Sequence, residues 1–314
     1  MLKFLVSFVV LIQTTYAING RCRALVLGGG SDRGAFQAGA IAGLITYLPQ
    51  GESMWDVVQG NGIGALNALL VAQSGLGDEI AVNTTLIDFW TGFKRSMFYK
   101  SWWGGRIVGY YWRNGLYNSS PIKYTLAKIF DGSFDRHILL GVTDLQKSAY
   151  KLMNTSYFSN DVLLMGVEAN LNSAGDFAVI DYKDSQYASG EIAFGIDVFS
   201  AIEYCNKLNY PNRYISVDIV LVNHAKLEPY DAKGKNTLQN YGRFNEIQNY
   251  HNVFERITIT KQNAKGVNFR TQVIMPNEVP NSSDYPFDYE TKAANLKKMI
   301  QLGMSSAKAS IPNQ

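Results

Sequence analysis

The chain has 314 residues, 46% of them hydrophobic and 18% charged, with a net charge of +3 and two cysteines. That is enough apolar material for one large domain with a substantial core, or a domain plus a modest extension, and it excludes a disordered chain. So small a charge gives no ground for a nucleic-acid partner, and no His/Cys/Asp/Glu spacing suggests a metal or a cofactor.

Residues 1–17 hold a single Lys3, an apolar run over 4–12 and small residues up to Ala17. This is the layout of a secretory signal peptide, the alternative being a buried N-terminal strand. No other apolar run approaches the roughly 20 residues that span a bilayer. A secreted or lumenal destination makes the sequons at Asn83, Asn118, Asn154 and Asn281 readable as glycosylation sites. It also favours pairing of Cys22 with Cys205 over two separate buried thiols.

From residue 23 a short apolar strand runs into Gly28-Gly29-Gly30-Ser31-Asp32-Arg33-Gly34 and then a helix. The loop fails the dinucleotide spacing because Arg33 takes the last glycine position, and it lacks the Gly-Lys closure of a phosphate-binding P-loop. It keeps the character of an anion nest, with backbone N–H groups at a helix N-terminus. A second strand over 56–60 leads into Gly60-Asn61-Gly62-Ile63-Gly64 and a small-residue helix over 63–74. That order of strand, glycine turn and helix is a nucleophile elbow of G-x-S-x-G type with glycine at its tip. Gly62 has no side chain to attack with and relieves the strain a serine would store there.

These two motifs resemble those of the patatin-like phospholipases, whose elbow runs G-T-S-I-G-A-L-N-A and whose oxyanion loop runs G-G-G-x-R/K-G. The resemblance covers roughly residues 22–223. It implies a three-layer α/β/α fold around a doubly wound, mainly parallel sheet, and a Ser/Asp dyad that needs no histidine. Gly62 stands at the serine's place. The aspartate turn falls at Tyr187-Ala188-Ser189-Gly190-Glu191, which puts Ser189 at the aspartate's place, and Gly28, Gly29, Gly30, Ser31, Arg33 and Gly34 form the oxyanion loop.

Over 89–117 the chain concentrates Trp90, Trp102, Trp103 and Trp112, and between Asp88 and Asp131 it has seven basic residues and no acidic one. Rings flanked by cations suit an anionic membrane surface, with Trp90, Lys94, Arg95, Trp102, Trp103 and Trp112 as contacts; the alternative is an insertion that packs its own rings. Further on, strands are expected over 137–143, 150–155, 216–223 and 267–275, and helices over 161–171, 196–208, 245–257 and 288–309. This gives a patatin-like domain over 22–225 with an insertion at 89–117, and an extension over 226–314 packed on the same domain. His137, His224 and His251 lie far from any nucleophile and read as structural.

The expected function is a secreted pseudoenzyme that binds a lipid or fatty acyl ligand without hydrolysing it. One alternative is an active lipid acyl hydrolase with a relocated nucleophile such as Ser31 and Asp32 or Asp197 as base. Another is a membrane-surface protein acting through 89–117.

Overall fold

A computed structural model describes residues 20–29, 33–172, 175–223, 225–277 and 293–312. The expected leader over 1–17, Gly30, Ser31, Asp32, His224 and Asn281 lie outside the described residues. The centre of the molecule is β1 (Cys22–Leu27), whose six residues are all buried, as expected of a strand covered on both faces. It pairs in parallel with β2 (Val57–Gly60) on one side and β7 (Ile215–Val220) on the other.

Alternate residues of β1 divide between two cores. Leu25 and Leu27 join Phe36, Ile41, Leu66 and Trp90 on one face. Cys22, Ala24 and Val26 join Ile202, Cys205, Val253 and Ile257 on the other. Helices α1 (Gly34–Tyr47), α2 (Ile63–Ala72), α3 (Glu79–Thr91) and α6 (Asn160–Leu171) cover the first face, and α7 (Val198–Lys207) and α8 (Thr237–Asn263) the second. The result is the expected doubly wound, mostly parallel sheet with helices on both sides.

Strand β3 (His137–Asp144) positions the site. One edge pairs antiparallel with β4 (Ala149–Asn154) from Leu139 to Asp144. The other pairs with β2 over His137–Leu140 and then with β6 (Ser185–Ser189) over Val142–Asp144. Where β2 turns away at Gly60, the end of β6 takes over the same edge, so residues 189–191 arrive beside the elbow. A short β5 (Ile180–Tyr182) extends β6.

The C-terminal part packs on this body. The terminal helix α9 (Ala293–Ser310) lies against α1, with Gly39 and Gly303 at the approach because a Cβ there would strike the facing backbone. The strand expected over 267–275 shrinks to β8 (Asn268–Phe269) and a bridge from Ile274 to Val220. Between them the chain leaves the ladder: Arg270 and Thr271 turn toward the buried carboxylate of Asp218, and Gln272 N–H donates to Ser310 O at 3.1 Å. The helix expected over 245–257 starts earlier, on a capping box between Asn236 and Gln239.

The aromatic segment splits in two, which corrects the reading of Trp90 as a membrane contact. Trp90 is fully buried, and its indole N–H donates to Asn67 Oδ1 at 2.8 Å. Phe93, Phe98, Tyr99 and Tyr117 are buried with it, and Trp102 is half-buried with its N–H on Gly115 O. Trp103 and Trp112 stand in solvent on and beside α4 (Gly105–Trp112), and Lys94 and Arg95 are exposed. A second correction concerns the sequons: Asn154 is 6% exposed at the end of β4 and accepts the Ser156 N–H, so no glycan can be carried there. Asn83 and Asn118 are half-buried. Among the described residues no helix is long and apolar enough to cross a membrane.

Candidate functional site

At the junction of β2 and α2 the backbone turns through Gly62 with φ +55° and ψ −133°. An L side chain is strained in that left-handed region, and glycine is not. Asn61, fully buried, locks the turn from behind: Nδ2 donates to Phe194 O at 2.6 Å, and Oδ1 accepts from Gln59 Nε2 at 2.8 Å and Gly141 N at 3.2 Å. From the front, Oδ1 of Asn170 on α6 accepts the N–H of Gly62 at 2.8 Å and that of Gly190 at 3.2 Å, while its Nδ2 donates to Gly141 O and Gly166 O. One buried amide therefore holds the elbow and the 189–190 turn in fixed relation.

Ser189 ends β6 and is 2% exposed. Its hydroxyl donates to Asn170 Oδ1 at 3.5 Å and accepts the Glu191 N–H at 3.3 Å, capping the single 3-10 turn over Gly190–Ile192. That turn carries the residue the sequence reading missed. The Glu191 carboxylate reaches back between the glycine loop and the elbow. A Cβ built on Gly62 would overlap Glu191 Oε2, and one on Gly29 would lie 2.5 Å from the same oxygen. The position where a nucleophile's side chain would begin is thus taken by a carboxylate from the neighbouring strand end.

The glycine loop is built more for packing than the anion-nest reading expects. The N–H of Gly28 donates to Val220 O and that of Gly29 to Gly195 O, both at 2.9 Å. Neither is left to hold an oxyanion, and Gly30, Ser31 and Asp32 of the same loop lie outside the described residues. Arg33 Nη1 donates to Val222 O at 2.9 Å, and Gly34 gives way to the Trp90 ring, which a Cβ there would strike. A buried chain runs from Trp90 through Asn67, whose Nδ2 donates to Gln37 Oε1 at 2.9 Å, to Gln37, whose Nε2 donates to Gly28 O at 3.2 Å. It ties α2, α1 and β1 together behind the loop.

Asp197 is engaged elsewhere. It caps α7 by accepting the Ser200 N–H at 3.0 Å, and its Oδ2 accepts the Tyr150 hydroxyl at 2.9 Å. Burial, with the Asp197 charge beside it, pushes the Tyr150 phenol well above its ordinary value, so it stays protonated and donates. Tyr150, Phe194, Asp197, Phe199 and Arg256 line a cavity of about 570 Å³ between this loop and α8. His137 is at the opposite end of β3 from the 189–191 turn, with Nδ1 3.1 Å from the Tyr204 hydroxyl, and His251 is on the exposed side of α8. Among the described residues no three or more His, Cys, Asp or Glu side chains come together in a group that could hold a metal ion.

Cys22 and Cys205 are joined by a disulfide between the start of β1 and the last turn of α7.

A family model described as patatin-like phospholipase matches residues 25–193, which takes in the second half of β1, the glycine loop, the elbow and the 189–191 turn. Among solved structures the chain is similar to VipD from Legionella pneumophila, at 11% identity and a TM-score of 0.45, covering 93% of this chain and 67% of that one. No curated protein sequence matches significantly.

Proposed function

The chain belongs to the patatin-like phospholipase family, and on that premise we propose that it is a non-hydrolysing member that binds a lipid or fatty acyl ligand on the family scaffold. The observation that carries this reading is the Glu191 carboxylate seated against Gly62 and Gly29. Acyl transfer through a covalent intermediate needs a nucleophile with a base in hydrogen-bond reach and free donors for the developing oxyanion. Gly62 supplies no nucleophile. Ser189 donates to an amide oxygen, which is no base. The N–H groups of Gly28 and Gly29 are spent on carbonyls.

Passage through the secretory route is part of the proposal. It is supported by the layout of residues 1–17 and by the Cys22–Cys205 disulfide, which belongs in an oxidising compartment. The test is exposure of the purified full chain to a fluorophosphonate probe and to a short chromogenic acyl ester, alongside thermal unfolding with short-chain phosphatidylcholine. No label, no turnover and a rise in melting temperature with lipid are expected. Stoichiometric labelling abolished by Ser189→Ala or Ser31→Ala would establish an active hydrolase instead.

A further inference from the structure

On a surface helix the apolar stripe ordinarily faces the core. On α4 it faces out. Trp103 just before the helix is fully exposed, and Ile107, Tyr110 and Tyr111 are 67%, 72% and 70% exposed. Spacings of three and four residues from Ile107 place Tyr110 and Tyr111 on its side of the helix, and Trp103 stands in the exposed turn that leads into it. Gly109, buried, seats the opposite side, where a Cβ would strike the Leu116 backbone. Nothing in the described fold covers the outer stripe.

The stripe is held firmly. Arg106 Nε donates to the Tyr117 hydroxyl at 2.6 Å, Trp102 Nε1 donates to Gly115 O at 3.1 Å, and the Arg113 guanidinium lies 4.8 Å from the Trp102 ring. Lys100 pairs its backbone with Asn118 across the base. Beneath sits a packed layer of rings from Phe93, Phe98, Tyr99, Tyr117 and Phe177. In the same segment Lys94, Arg95, Lys100 and Arg113, with Lys123 and Lys128 on α5 (Ser120–Ile129), are exposed, and no acid interrupts the chain from Phe89 to Phe130. The neighbouring acids from other elements are Glu168, which faces Lys123, and Asp176, whose backbone carbonyl takes the Tyr117 N–H.

We infer that Trp103, Ile107, Tyr110 and Tyr111 form a docking surface for an anionic lipid bilayer, with the surrounding lysines and arginines against the headgroups. The surface is separate from the Gly62–Glu191 centre, so its fate does not depend on how that centre is read. Indole and phenol rings have an apolar body and a polar tip, which suits headgroup depth. A basic surround adds attraction that falls as salt screens it. A protein partner would have to supply acidic groups opposite these cations.

The test is co-sedimentation of the full chain with phosphatidylcholine vesicles, with and without a quarter phosphatidylserine, at low and high salt. Binding at least about tenfold stronger to the anionic vesicles, released at high salt, is expected. Trp103→Ala with Tyr111→Ala should lower it at least about tenfold, with the unfolding transition unchanged because both side chains are exposed. Lys100→Glu with Arg113→Glu should erase the preference for phosphatidylserine. Equal binding to both vesicle types, binding to neither, or a concentration-dependent dimer that the Trp103/Tyr111 pair of changes abolishes would overturn the inference.

Discussion

Replacing Gly62 by alanine, with and without Glu191→Ala, tests whether the carboxylate occupies the elbow. In the parent chain the new methyl group meets two obstacles. The backbone at φ +55° and ψ −133° costs a non-glycine residue about 1–3 kcal/mol. The methyl also overlaps Glu191 Oε2 and lies 2.9 Å from Gly29 Cα, so either the carboxylate leaves its seat or the glycine loop shifts. Forcing a group into an occupied, packed position costs about 1–3 kcal/mol. Strain and the Gly29 contact are the same in both backgrounds and cancel in a double-mutant cycle; displacement of Glu191 does not. Gly62→Ala should therefore cost at least about 1 kcal/mol less in the Glu191→Ala background, well outside the 0.3–0.5 kcal/mol within which independent sites add. Guanidinium unfolding of the four proteins, followed by circular dichroism, measures it. Equal costs in the two backgrounds would show that Glu191 does not sit over Gly62.

Three further outcomes follow from other parts of the molecule. Asp218 is fully buried against Trp55 Nε1 at 2.8 Å and the Arg270 guanidinium, which also pairs with Glu52 at 2.6 Å, so Asp218→Ala, which leaves the Trp55 N–H and one arm of that guanidinium without an acceptor, should destabilise by about 1–3 kcal/mol in denaturant unfolding. Reduction of Cys22–Cys205 opens a loop of 183-residue separation and should lower stability by up to about 5 kcal/mol on chain-entropy grounds; an unchanged midpoint in reductant would contradict it. Burial pushes the His137 imidazolium pKa down. Below the unfolded value of about 6.5 the unfolded chain takes a proton that the folded one refuses, so stability falls as pH drops toward the lowered value. His137→Gln should flatten that part of a stability-against-pH curve; an identical slope would refute the assignment.

Much of this architecture is written locally. The run Ala24 to Leu27 reads as a doubly covered strand because it is apolar throughout, and the turn at Gly60 to Gly64 is visible because strand and helix periodicities meet there. Glu191 was not legible, since nothing beside it in sequence marks it as part of the elbow. Only the shared edge of β3, with β2 on its first half and β6 on its second, carries it across to Gly62. The orientation of Asn170 is likewise a product of packing, although an asparagine inside the apolar run of α6 is a signal of a buried polar task. Trp90 had its own clue, the spacing of Val82, Leu86 and Trp90 on one face of α3, which composition over 89–117 obscured. For Asn154, alternation beside the buried Met153 did not suffice, because the last two residues of β4 are both buried.

The single amide of Asn170 has a kinetic consequence. The N–H groups of Gly62 and Gly190 lie on different segments, yet both end on the same oxygen inside α6. Neither can reach water by a private fluctuation of its own loop unless that oxygen is surrendered. Hydrogen exchange at the two glycines should therefore be slow and should rise together when α6 loosens, as though the 127 residues of intervening chain did not separate them.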